Sequence, residues 1–347
     1  MLFGLRTREA PPMTLEGALG PNDRLELAPG LRINAPEALS VAPDGRLLIS
    51  SGTRVMALGE WGETPVPLVE CHRRVTALGT SPAGLIAVGL AGGGVAVLDA
   101  SGGPVEGWLL PTDLTAANDC VFVSENELLV ADCGHADDAN FLAMAIWDDD
   151  ARGKIVAIGR GIEPRTVATG LNCPMGICLD AAGRPVASLL ERASIVDLDG
   201  RTLQAGYPAY PGRLRRTSKG YALACLSRRD PLIEFLRHEP EFVAEMKAGL
   251  EPRHWIAPRI SPEFSAEFPI ELGATRLFGE IKPWAPSFSY GLVIETDERF
   301  LPVGSAHSRA NGLRHAISDV VEWKGNLVAV SRASGEIVNV GHGGTQP

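Results

Sequence analysis

Asn118 and Asp119 open the stretch "NDCVFVSENELLVADCGHADD", placing an amide and a carboxylate where a strand would normally begin with an apolar residue. Two chemistries suit such a pair: an Asx turn capping the strand, or oxygen atoms aimed into a site. A second group, "RLRRTS", brings Arg213, Arg215 and Arg216 together. Guanidinium forks bind carboxylates and phosphates bidentately, and the same charges also protect an edge strand from aggregation. Among the histidines, His135, His307 and His315 are nearest the expected loops, and Asp319 lies close behind His315. An imidazole beside a carboxylate can act as a general base on water. The chain has no G-x-S-x-G elbow and no H-E-x-x-H helix. "GLAGGGVAV" lies between strands with no helix after it and reads as a hairpin turn, and the acidic run "WDDDARGK" lacks EF-hand spacing.

These residues have to be held by something, and an internal repeat supplies it. A short apolar strand, a polar turn and a second β-rich strand recur at 36–52, 75–90, 118–133, 174–191, 212–226 and 317–331. Asp44-Gly45 marks a hairpin turn in the first copy. Further strand-like runs follow most copies, "RVMALG", "GGVAVLD", "KIVAIG", "ASIVDLDG" and "GEIVNVG" among them. Units of three or four short strands, repeated six times, predict an all-β, six-bladed β-propeller formed as one domain over 1–347. The expected N-terminal arm covers 1–30. Residues 228–289 break the rhythm as an insertion with short helices before the last blade, Leu232, Ile233, Leu236, Phe242 and Met246 falling at helical spacing around Pro240. A smaller excursion follows Cys133 inside the third copy.

Composition narrows the partners. A net charge of −10 argues against nucleic acid. No apolar run approaches the length of a membrane span, and the N-terminus lacks the apolar core of a secretory signal. The six cysteines show no C-x-x-C pair and read as small buried hydrophobes, which suits a reducing cytoplasm.

From Pro36 to Val340 the order of "NDCVFVSENELLVADC", "FLAMAIWDDDARGKIVAI", "GLNCPMGICLD", "ERASIVDLDG", "GYPAYPGRLRRTSKGYALACL" and "HAISDVVEWKGNLVAVS" resembles the strictosidine synthase-like proteins. These belong with the regucalcin/gluconolactonase and paraoxonase-type propellers. The resemblance implies a site at the central channel where a Ca2+ ion polarises a lactone or ester carbonyl. It places Glu37 and Asn118 at metal-ligand positions, and it matches Glu191 and His315 to family positions. It also shows departures. Met175 stands where relatives carry an asparagine ligand, Gly212 and Arg213 replace a "DN" pair, and the plant condensing enzyme's glutamate falls near Ser318.

Two main readings stand. One is a lactonase- or arylesterase-type hydrolase, with Glu37 and Asn118 holding a metal or water and His315, Asp319 and Glu191 assisting. The other is a metal-free member, an enzyme of different reaction class or a binding module, in which Arg213 takes the cation's place and recognises an anionic small molecule. Arg215, His135, Asp119 and Met175 would line that substrate site. A scaffold role, or self-association through the 228–289 insertion, is a third expectation.

Overall fold

The computed structural model describes residues 10–262, 276–277, 280–281 and 287–341. They form a six-bladed β-propeller. Blade one holds strands Leu39–Val41, Leu47–Ser51, Arg54–Leu58 and Val66–Glu70. Blade two has Val75–Thr80, Ile86–Leu90 and Gly94–Leu98, with a single Leu98–Pro104 bridge in place of an outer strand. Blade three runs Asp119–Ser124, Glu127–Asp132, Gly153–Gly159 and Ile162–Leu171, and blade four Pro174–Leu179, Pro185–Leu189, Ser194–Asp197 and Thr202–Ala205. Blade five contains Ala209–Thr217, Gly220–Arg228, Gly291–Thr296 and Pro302–Ser308. Blade six closes the ring. Its strands Ile317–Trp323, Asn326–Ser331 and Glu336–Asn339 take Gly30–Arg32 from the N-terminal arm as their outer member. All neighbouring strands are antiparallel, and each hairpin in the sequence repeat forms the inner half of one blade.

Apolar side chains fill the wedges between blades. One cluster joins Ala77, Val97, Phe122 and Ile158 across blades two and three, and another joins Ile49, Val321, Trp323 and Val330 across blades six and one. This two-sided burial explains why the strands read as near-continuous apolar runs. Polar stitches add register at the inner ends. Thr76 donates to the Ala117 carbonyl, Ser188 to the Gly212 carbonyl and Ser318 to the Glu37 carbonyl.

The insertion predicted before the last blade lies inside blade five, between its second and third strands. It contributes helices to a set that begins with α1 (Arg24–Leu27) in the N-terminal arm and α2 (Phe141–Ile146) in the blade-three excursion. The insertion's own helices are α3 (Pro231–Leu236) and α4 (Pro240–Gly249). Asp230 caps α3 by accepting from the Leu232 N–H, and Pro240 starts the second helix, as its fixed φ favours. Ile233, Leu236 and Met246 face inward, whereas Phe242 is 42% exposed, so the expected apolar stripe is narrower than its sequence. The stretch 263–275, part of the irregular half of the expected insertion, lies outside the described residues.

Both excursions leave from the end of a second strand and therefore emerge on the same face of the ring. There they meet. Phe141, Leu142, Ile146 and Trp147 of the first pack with Ile233, Leu236, Met246 and Phe288 of the second, over Met175, Tyr210 and Leu226. Among the described residues, no helix is long and apolar enough to cross a membrane.

Candidate functional site

The site begins with a backbone irregularity. Near the start of the innermost strand, pairing skips one residue at Thr76, Met175 and Ser318 in blades two, four and six. In blade five the skip falls at Gly212–Arg213, where two residues oppose Ala224 alone. Such bulges bend the strand and re-aim its groups. Glu37 and Asn118 occupy the corresponding places just ahead of the first strands of blades one and three. The result is a ring of backbone carbonyls around the propeller axis.

Arg213 fills that ring. Its side chain is fully buried, and Nη1 donates to the carbonyls of Glu37 at 2.9 Å and Ser318 at 3.0 Å. Nη2 donates to the Asn118 carbonyl at 2.6 Å and to the Thr76 carbonyl. Nε makes no hydrogen bond but lies 3.6 Å from Asp119 and 3.8 Å from Asp319. Two residues further along the strand, on the same face, Arg215 binds Asp119 through both Nη atoms, at 2.6 and 2.8 Å, and reaches Asp319 at 3.0 Å. Each aspartate also accepts a main-chain N–H from the next blade, Asp119 from Ile177 and Asp319 from Leu39, both at 2.9 Å. Burial pulls the Arg215 pKa down, but Asp119 and Asp319 more than reverse it and hold the guanidinium above its ordinary range. Burial pushes the Asp319 carboxyl up, against the pull of Arg215 and Arg213. Gly176 permits the close approach that packs blade four here, because a Cβ would sit 2.8 Å from Arg213 Cα and 2.6 Å from the Leu214 nitrogen.

Above this plug lies the mouth. Glu37 is 7% exposed, and its carboxylate faces three guanidinium groups: Arg332 at 3.0 Å, Arg74 at 3.7 Å and Arg213 at 3.7 Å. Arg74 also binds Asp137 of the blade-three excursion. Arg74 and Arg332 then line a cleft of about 630 Å³. Its walls are α2 with the turn before it, Asp137–Ala143, and the segment after α4, where Pro252, Trp255, Ala257, Pro258 and Ile260 supply apolar surface. Four arginines (Arg74, Arg253, Arg259 and Arg332) and two aspartates (Asp137 and Asp138) line it, a cationic balance in an acidic protein.

The residues singled out in the sequence fall into three groups. Glu37, Asn118, Asp119, Arg213, Arg215 and Asp319 converge on the axis as a connected network. Asn118 does so through its carbonyl, while its side-chain Oδ1 accepts the Cys133 N–H at 2.9 Å. Met175 and Glu191 sit beneath the insertion, Met175 in apolar packing and Glu191 bound to Arg192 and to Arg237, the cap after α3, as a brace. His135 and His315 belong elsewhere. His135 pairs with Asp148 at 3.0 Å inside the blade-three excursion. His315 is fully buried, its Nδ1 on Ser289 Oγ at 3.0 Å and its Nε2 on the Arg309 carbonyl at 2.9 Å.

Two expectations need correcting on this geometry. His315 and Asp319 do not form a base pair, since Asp319 is bound by arginines and main-chain N–H groups. Arg213 does not face an anionic ligand, because both Nη groups donate to carbonyls, Nε lies between Asp119 and Asp319, and the side chain is buried. Sequence reasoning missed Arg74 and Arg332, the two of the cleft's four arginines that rest on Glu37. Arg74 follows Arg73 in the loop between blades one and two, and Arg332 sits in a turn within blade six, so no shared sequence motif marks them.

The residues present do not suit the calcium ion that the resemblance implies. Calcium takes six to eight oxygen ligands. Glu37 instead meets three positive groups and the Asn118 amide oxygen is already engaged. Among the described residues, no group of three or more His, Cys, Asp or Glu side chains is placed to hold a metal.

No family model matches this chain, and no curated protein does. Among solved structures it is similar to a "putative gluconolactonase" at 11% identity, with a TM-score of 0.51, covering 90% of this chain and 91% of that one. It also matches a chain of a nidogen/laminin complex at 14% identity and a TM-score of 0.45, covering 56% of this chain and 73% of that one. At 11% identity the first of these likenesses shows the fold alone, a six-bladed β-propeller.

Proposed function

We propose that this protein binds an anionic small molecule in the cleft above the plugged channel, and that it does so without a metal at the axis. One observation carries the reading: Arg74 and Arg332, both partly exposed and both resting on Glu37, line a cleft whose other walls combine apolar side chains with Arg253, Arg259, Asp137 and Asp138. Pockets of this size bury a drug-sized ligand against apolar walls and orient it through a few polar groups. A carboxylate or phosphate head would sit on the two guanidinium groups, with an apolar body between α2 and Trp255. Asp137 competes for Arg74 in the free protein, so an incoming anion would displace it.

A second reading, lactone or ester hydrolysis at the same cleft, has support from the full-length likeness in fold to a protein described as a gluconolactonase. On this reading the substrate carries an acid group, and its ring or ester is opened by water held near the mouth.

Chelator-treated protein would be titrated with phosphate, citrate and aryl carboxylates, following melting temperature and heat. Binding must raise the melting point of the native protein. Arg332→Gln is expected to weaken it about tenfold or more, the worth of one charged hydrogen bond, and Asp137→Asn to tighten it. No response to any anion, or an unchanged affinity in Arg332→Gln, would sink the reading. Turnover of a lactone panel that persists in chelator would establish the hydrolytic one, and turnover that needs added calcium would contradict both.

A further inference from the structure

The atoms around Arg213 are those of a cation site. Four backbone carbonyls converge on it, from Glu37, Thr76, Asn118 and Ser318 in four different blades. Three carboxylates stand just beyond, Asp119 at 3.6 Å, Glu37 at 3.7 Å and Asp319 at 3.8 Å. Converging carbonyl dipoles repel one another unless positive charge lies between them. A water molecule has only two protons to offer, so a neutral filler would leave buried acceptors unpaired, at the usual penalty for such groups. A guanidinium offers five N–H donors and a permanent charge. The contact at Nε makes the same point, because that atom is held between two carboxylates with no hydrogen bond at all.

We infer that the axis of this propeller is a cation receptor assembled from four blades, and that Arg213 occupies it permanently as an internal ligand. The bulge at Gly212–Arg213 is what delivers the side chain there. Truncating that side chain therefore opens a receptor for a small free cation: guanidinium itself, or a hard dication such as calcium, for which the four carbonyl oxygens left behind are suitable ligands. The inference stands on the axis alone and is independent of what the cleft binds.

Arg213→Ala in the full-length protein tests it. Leaving buried charges uncompensated is expected to lower the melting temperature by about 5–10 °C. Millimolar guanidinium or calcium should then restore part of that loss in Arg213→Ala, relative to matched sodium chloride, and should leave the native protein's melting temperature unraised. A variant as stable as the native protein would overturn the inference. So would a destabilised variant that neither guanidinium, methylguanidinium nor calcium restores, which would make Arg213 a packing residue only. Should Arg213→Ala fail to fold, Arg213→Lys and Arg213→Met decide. The lysine variant must melt higher than the methionine variant, which fills similar space without charge, and the reverse order overturns the inference.

Discussion

Asn118 and Asp119 are adjacent, yet their side chains serve different ends. The amide of Asn118 ties its own strand start to Cys133, while the carboxylate of Asp119 holds Arg215 and the N–H of blade four. Neither forms an Asx turn: the amide oxygen stitches the two strands of its hairpin together, and the carboxylate faces the axial arginines. His307 shows how burial sets a property that sequence leaves open. It sits between Tyr290 Oη at 3.1 Å and Ser305 Oγ at 3.0 Å, and burial, with Arg309 and Arg24 nearby, brings its pKa down to about 4. The unfolded chain takes up this proton near pH 6.5 and the folded one does not, so stability is complete above that value and falls as pH drops toward 4. Linkage puts the loss at about 3 kcal/mol across the window. Denaturant midpoints at pH 7 and pH 5 should differ in this sense, and His307→Gln should flatten the slope; an unaltered slope would remove His307 as its source. Arg213 was visible in the sequence as a departure at a ligand position. Its four partners were not, because a backbone carbonyl has no residue type and those four lie in separate blades.

Hairpins, turns and third strands could be read at the level of elements, since alternation and Gly-containing turns are local signals. The bulges could not. They depend on pairing between strands, and one residue too many in a strand leaves no mark on its composition. Gly176 is an example, reading as an ordinary strand glycine. In the structure it is where the inner strand of blade four touches the main chain at Arg213 and Leu214. Gly176→Ala would drive a methyl group into backbone that cannot yield, and overpacking of this kind costs about 1–3 kcal/mol. A lower urea midpoint with unchanged transition slope is expected, and an unshifted midpoint would show that blades four and five can slide apart freely. The insertion lies before the last blade as expected, but its place within blade five is hidden in the sequence for a related reason. Its apolar spacing marks α3 and α4 well, but only sheet pairing shows that Gly291–Thr296 belongs to the same blade as Gly220–Arg228.

The molecule as a whole is a ring closed by non-covalent pairing. Gly30, Leu31 and Arg32 align with Val338, Ile337 and Glu336, and Arg314 locks the arm by donating to the carbonyls of Leu25, Glu26 and Ala28 at the end of α1 while binding Glu336 at 3.1 Å. Removing the chain through Arg32 would bare the edge of Glu336–Asn339 and take the buried Leu25 out of its apolar cluster. Exposed strand edges recruit other chains. The shortened protein should therefore self-associate or lose cooperative unfolding on size-exclusion and thermal analysis, and a monodisperse, cooperatively melting product would show that the arm is dispensable. The same closure has a consequence during synthesis. The arm strand emerges from the ribosome about 300 residues ahead of its partner, a wait of roughly 15–60 s at ordinary elongation rates. For that time the nascent protein is an open arc whose first and last blades each lack a neighbour, and its exposure to chaperones and to misassembly is set by the pace of translation.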